Sequence, residues 1–213
     1  MINVVVLVSG SGSNLQAIID RTSSDDLPIR IRLVISNNPD AYGLQRAKSA
    51  NIDAVCIDHR AYASRLEFDR ALIDKIDSLE PNLLILAGFM RILTTEFVEH
   101  YHNRLINIHP SLLPKYPGTD THQRAIEAND EWHGVSIHFV VPEVDAGPII
   151  AQGRFKIKAD DTPESLQQRA HLIEHKLYPL ALKWFAQGRL RIVAGKVLLD
   201  GENASDQLQS FDL

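Results

Sequence analysis

Cysteine is almost absent from this chain: Cys56 stands alone among 213 residues, which excludes an intramolecular disulfide. Its place in the apolar run Ala54-Val-Cys-Ile57 reads as a packed thiol in a reducing compartment, with the cytoplasm as the expected location. Long hydrophobic runs are missing as well. The opening stretch Met1-Ile-Asn-Val-Val-Val-Leu-Val-Ser-Gly10 falls far short of the roughly 18 apolar residues of a membrane span. It has neither a basic leader segment nor a small-residue cleavage site, and reads as a buried strand. Positive charge is not in excess either. With 22 basic residues against 27 acidic ones the net charge is −5, which argues against a large phosphate-backbone footprint and so against nucleic acid as a partner. Repeats, low-complexity tracts and Gly/Ser/Pro linkers are lacking. Apolar residues are plentiful at 45%, enough for one well-filled core, and a single domain over residues 1–200 is expected, followed by a polar tail over 201–213 that frays.

The first half alternates short apolar runs with longer amphipathic stretches, the pattern of parallel strands crossed by helices. Candidate strands are Ile2–Val8, Ile29–Ile35, Ala54–Ile57, Leu83–Ala87 and Leu105–Ile108. Ser64-Arg-Leu-Glu67 has the form of a capping box and opens a helix through Phe68, Leu72, Ile73 and Ile76 that should end near Glu80-Pro81. Pro110, Pro114, Pro117 and Gly118 then crowd together, so the stretch from Ser111 to Asp130 reads as a loop. His133–Val141 and Pro148–Ile157 can pair antiparallel. Thr162-Pro163 caps a long helix carrying Leu166, Ala170, Ile173, Leu177, Leu180 and Trp184 up to Gly188, and Leu190–Val193 with Lys196–Leu199 form a hairpin about Ala194-Gly195. The expected fold is α/β: an open, twisted, Rossmann-like sheet, parallel in its N-terminal half and mixed to antiparallel in its C-terminal part, with helices on both faces.

Three constellations carry chemistry. Val8-Ser-Gly-Ser-Gly-Ser-Asn14 joins the first strand to a helix, where backbone N–H groups and the positive helix end favour an anion. A dinucleotide fingerprint would need a third glycine and a P-loop would need a lysine, and neither is there. Asn107 and His109 leave one face at the carboxyl end of a strand, a carboxamide donor beside a group that moves protons near neutral pH, which is what acyl transfer requires. Asp145 lies in the turn Val144-Asp-Ala-Gly-Pro148. If that turn folds back onto His109, its carboxylate would favour the imidazolium and fix its orientation. Nine histidines invite a metal reading with His109, His133 and His138 as ligands, but no pair has His-Glu-x-x-His spacing, so no metal is expected.

Together, Ser9-Gly-Ser-Gly-Ser-Asn14, Ala87-Gly-Phe-Met-Arg-Ile-Leu93, Asn107-Ile-His-Pro-Ser-Leu-Leu-Pro114, His133-Gly-Val-Ser-Ile-His-Phe-Val140 and Val144-Asp-Ala-Gly-Pro148 resemble the folate-dependent formyltransferases. The first of these and Lys115-Tyr-Pro-Gly118 resemble the branch of that family that serves purine synthesis. The resemblance implies transfer of a formyl group from 10-formyltetrahydrofolate, a co-substrate, to the amino group of N1-(5-phospho-D-ribosyl)glycinamide through a tetrahedral intermediate. The alternative is a related transfer or deformylation acting on another amine or on water. It implies Asn107, His109 and Asp145 as the catalytic trio, with His109 held charged by Asp145. Gly12, Ser13 and Asn14 would hold the substrate phosphate, and Glu174 the ribose. Folate would lie on Arg65, Met90, Arg91, Ile92, Leu93 and Asn107, and on Val140, Val141, Glu143 and Val144. Partners are then small molecules, without nucleic acid or membrane, and the chain acts as a monomer or homodimer.

Overall fold

Val4, Val5, Val6, Leu7 and Val8 are all fully buried, as a strand covered on both sides must be. They belong to β1 (Ile2–Val8), the central strand of the first of two compact units, Met1–Asn107 and Ile108–Leu213. The computed structural model describes residues 1–24, 26–204 and 209–211. In the first unit β1 lies between β2 (Ile29–Ser36) and β4 (Leu83–Leu86); β3 (Ala54–Cys56) flanks β2 and β5 (Leu105–His109) flanks β4, all parallel. The chain steps from β1 outward to β2 and β3, then returns to the other side of β1. Such a reversal opens a crevice at the carboxyl ends of the two strands concerned. The loops after β1 and β4 meet there: Ser9 N–H donates to the Gly88 carbonyl at 3.0 Å.

The helices of this unit are α1 (Ser13–Ser23), α2 (Tyr42–Ser49), α3 (Arg65–Asp77) and α4 (Thr95–His100). The Ser64 hydroxyl accepts from Glu67 N–H as the capping signal requires, while the Glu67 carboxylate reaches back to Ala63 N–H at 3.2 Å. α3 stops at Asp77, short of the expected Glu80-Pro81, because Glu80 turns into a left-handed conformation at φ 46°. Cys56 corrects a second expectation. It is exposed rather than packed, since β3 is the edge strand and Cys56 is its last residue.

In the second unit β6 (Trp132–Phe139) and β7 (Ile149–Lys156) form the expected antiparallel pair. α6 (Pro163–Ala186) begins with a complete capping box between Thr162 and Ser165. Pro179 sits inside it without the N–H a helix uses, and the buried row Leu166, Ala170, Ile173, Leu177 and Leu182 outweighs that loss. The hairpin of β8 (Leu190–Val193) and β9 (Lys196–Leu199) closes as expected. The polar tail is partly strand: β10 (Glu202–Asn203) pairs with β9, and β11 (Gln209–Ser210) runs parallel to β7. Its residues 205–208 and 212–213 lie outside the described residues. The proline-rich stretch is not all loop. Past Pro117 the prolines stop, and α5 (Thr121–Glu127) forms with Thr121 and Ala125 buried. Strand ends elsewhere differ from the sequence reading by a residue or two. The fold is mixed α/β, with parallel N-terminal strands, antiparallel C-terminal ones and flanking helices. Among the described residues no helix is long and apolar enough to cross a membrane.

α5 docks through a histidine pair: His122 Nδ1 and His133 Nε2 are 2.8 Å apart, so one ring donates and the other accepts. A proton added to each ring would set two cations in contact, and burial, helped by neighbouring histidine charge, pushes both rings down to about 4. In the unfolded chain they titrate near the ordinary 6.5. The neutral pair therefore contributes its full stability above that value and loses it as acid drives protons onto the unfolded state. Urea unfolding is expected to show a loss of about 2 kcal/mol or more between pH 7 and pH 5. An unchanged midpoint over that range would contradict the assignment.

Candidate functional site

The turn after β1 is built around Gly12, which precedes α1 with φ 70°, a conformation a side chain resists. Space forbids one as well: a Cβ there would lie 2.6 Å from the Gly43 Cα in the first turn of α2. Gly43 N–H donates to the Gly10 carbonyl at 3.0 Å, and Arg46 Nε to the Ser11 carbonyl at 2.8 Å. Arg46 is a partner of the turn that the sequence did not announce. The N-cap of α1, Gly12, has no side chain to cap the helix, and backbone amides at the positive end of a first turn suit a phosphate at Gly12, Ser13 and Asn14. The Ser9 hydroxyl ties this turn to the segment after β4. It accepts from Met90 N–H at 2.7 Å and donates to Asn37 Oδ1 at 2.6 Å.

Along that segment Met90 and Ile92 are exposed apolar side chains, Arg91 is half-buried and Leu93 buried. Arg65 is exposed in the first turn of α3. Sequence reasoning missed Asp69, which no local motif marks. It is 1% exposed and accepts from Thr94 N–H at 2.6 Å. Burial raises its proton affinity, and Thr94 together with the charges of Arg65 and Arg91 opposes that rise.

Strand β5 carries Asn107 and His109 two residues apart, hence on one face. His109 is 5% exposed. Its Nδ1 lies 3.4 Å from Oδ2 of Asp145, so the turn after β6 does fold back onto it. Its Nε2 lies 2.8 Å from the Tyr116 carbonyl. Asp145 sits at φ 53°, and its Oδ2 also accepts Gly118 N–H at 2.8 Å. Gly147 lets the turn close, since a Cβ there would fall 1.7 Å from the Phe139 carbonyl oxygen. Burial works to raise Asp145, yet the His138 ring, Gly118 N–H and His109 outweigh it and hold the carboxyl below the usual range. For His109 the balance tips the other way. Burial pushes the ring below the ordinary histidine value, against the pull of the Tyr116 carbonyl and Asp145. Of the opposing effects on His109, desolvation is the larger.

Val140 and Val141 are half-buried, and Glu143 and Val144 exposed, on the same β6–β7 connection as Asp145. Glu174 is 5% exposed on α6, unlike the solvated carboxylate that a helical glutamate usually makes. Among the described residues no group of three or more His, Cys, Asp or Glu could hold a metal ion.

The family model described as formyl transferase matches residues 2–182. The chain is 48% identical over 210 residues to the phosphoribosylglycinamide formyltransferase of Escherichia coli (strain K12), covering 99% of each. It superposes on the phosphoribosylglycinamide formyltransferase of Coxiella burnetii, solved in complex with CHES, with a TM-score of 0.92 and 50% identity over 99% of both chains. Against glycinamide ribonucleotide transformylase 1 of Symbiobacterium toebii the TM-score is 0.91 at 43% identity, over 93% of this chain and 94% of that one.

The glycine turn makes a direct prediction. Gly12→Ala adds a side chain at a positive φ and against the Gly43 Cα, and is expected to cost about 1–3 kcal/mol in urea unfolding. Calorimetry should show weaker binding of a ribose 5-phosphate ester to the variant. Wild-type stability and affinity together would refute the packing argument.

Proposed function

Because the chain belongs to the formyl transferase family, we propose that it transfers the formyl group of 10-formyltetrahydrofolate to the amino group of N1-(5-phospho-D-ribosyl)glycinamide, with Asn107, His109 and Asp145 as the catalytic trio. The observation that carries this reading is the 3.4 Å approach of His109 Nδ1 to Asp145 on a strand that also bears Asn107. The amine attacks the formyl carbon directly. The carbonyl oxygen becomes an oxyanion and the attacking nitrogen becomes acidic. Asn107 donates to the oxyanion. His109 takes the proton shed by the amine on Nδ1, the nitrogen beside Asp145, and Asp145 stabilises the imidazolium so formed. The proton passes on to the folate nitrogen, through a water, as the carbon–nitrogen bond breaks and tetrahydrofolate leaves. Proton uptake and release balance within one turnover, and no covalent enzyme intermediate is needed.

The substrate phosphate rests on the amides of Gly12, Ser13 and Asn14, and Glu174 binds the ribose hydroxyls. A buried carboxylate would serve neutral hydroxyls well and would repel the phosphate. Folate lies along Met90–Leu93 and Val140–Val144, with Arg65 and Arg91 available to its carboxylate tail. The exposure of Met90, Ile92 and Val144 supports this, because large apolar side chains left in water mark surfaces that a ligand covers. The reaction takes place in the cytoplasm.

Purified protein with both substrates should release tetrahydrofolate only when the amine is present and equally well with EDTA. Release without amine would instead indicate a deformylase. Asn107→Ala and His109→Ala are each expected to cost ~100-fold or more in kcat, the scale of a lost oxyanion donor. Near-normal turnover of His109→Ala would overturn the scheme.

A further inference from the structure

His138 is a buried ionisable side chain to which this scheme gives no part. It stands on β6, 2% exposed. Its Nδ1 is 2.9 Å from the Phe139 carbonyl, and its Nε2 is 3.7 Å from Oδ1 of Asp145. His109 repeats the pattern with its nitrogens exchanged: Nε2 on the Tyr116 carbonyl, Nδ1 on Oδ2 of Asp145. A carbonyl oxygen only accepts, so the outer nitrogen of each ring must carry the ring's proton. A neutral ring has no second proton, and its inner nitrogen would then aim a lone pair at the carboxylate. With both rings neutral, Asp145 would face two lone pairs, with Gly118 N–H left as its donor among the described residues. The cluster is electrostatically consistent once one further proton is held between the two rings.

We propose that His138 is a positioning residue of the site, which holds the Asp145 carboxylate against His109 and competes with His109 for the one proton that this carboxylate can stabilise. A base that must accept a proton in mid-reaction works best when its proton affinity is near the working pH. An isolated buried carboxylate would pull His109 toward a permanent imidazolium. A second ring on the same carboxylate takes part of that pull and keeps Asp145 ionised and in place. The charged and titratable groups that face His109 are Asp145, His138 and, from α5, Arg124, with His122 and His133 farther off. Asp145 and His109 face His138. Charge on His138 and on Arg124 lowers the proton affinity of His109, in keeping with the competition. The turn bearing Asp145 also packs on His138 directly, for a Cβ on Gly147 would lie 3.4 Å from its Nδ1.

The kinetic half of this proposal rests on the formyl-transfer reading; the titration half does not. Two variants of the full chain separate charge from support. In His138→Gln the amide can still donate to Asp145 but cannot take a proton. Titration of ¹⁵N-labelled imidazoles by NMR, without substrates, is expected to show the His109 midpoint rising by roughly half a unit or more. The pH profile of kcat should move in the same direction. In His138→Leu both the charge and the donor are gone. There kcat should fall about tenfold or more, while both KM values stay within about twofold, as expected of a misplaced catalytic group. A His109 midpoint that does not move in His138→Gln overturns the proposal. So does an equal loss of kcat in both variants without such movement, which would make His138 a packing residue only. Should the leucine variant fail to fold, the glutamine variant decides alone. An inactive wild-type protein with a shifted His109 midpoint would sink the formyl-transfer reading and leave the proton competition standing.

Discussion

A carboxylate taken out of water must be met by donors, and the Asp145 side chain, 11% exposed, is where that demand is met in this protein. Three chain segments converge to meet it. The loop after β5 supplies Gly118 N–H, β5 supplies His109 and β6 supplies His138. The turn that carries Asp145 is held in a left-handed conformation and closed over Phe139 by Gly147. None of these features is stable for its own sake. A positive φ at a residue with a side chain costs free energy, and so does a buried charge. They persist because each partner fixes the others, and the result is a carboxylate whose direction is set before any substrate arrives.

The same environment decides what His109 can do. Burial disfavours the charged ring and the carboxylate favours it, and here burial prevails. In the proposed reaction a histidine so placed serves first as a base, and as an acid once a developing negative charge or a released proton alters the balance. Had the carboxylate prevailed, the ring would enter the reaction already protonated and could stabilise an oxyanion but not accept the proton of the amine. Desolvation therefore selects one role from two that the residue type alone would allow.

Much of this was legible in the sequence where a single segment carries the information. The apolar run of β1, the cap at Ser64, the Thr162-Pro163 start of α6 and the glycine turn all follow from local periodicity and backbone freedom. Asn107 and His109 share a face because a strand alternates, whatever the rest of the fold does. The meeting of His109 with a turn 36 residues onward was legible only as a condition, since sequence spacing says nothing about how that turn folds back. Burial was harder still. Cys56 sits in a segment that looks buried and proves exposed, and Glu174 is buried although a helical glutamate usually faces water. The reason is topological: Cys56 ends an edge strand, and the helix face bearing Glu174 is turned inward. α5 was hidden by the prolines before it, which speak for the residues they occupy and not for those beyond Pro117.

A net charge of −5 raises a problem for the proposed substrates, both of which are anions. An acidic chain cannot draw them in by its overall field, so the favourable potential must be local. The glycine turn answers with the backbone dipoles of α1 rather than with lysines. Arg46, the cation nearest the turn in its hydrogen bonds, is committed to the Ser11 carbonyl and to Gln16. Its guanidinium thus shapes the turn as much as it could attract a phosphate. Dipoles fixed in the backbone neither titrate nor reorient, and they act over the length of one helical turn. A site built this way discriminates by position: a phosphate gains from it only when the rest of the molecule allows it to sit at the first turn of α1.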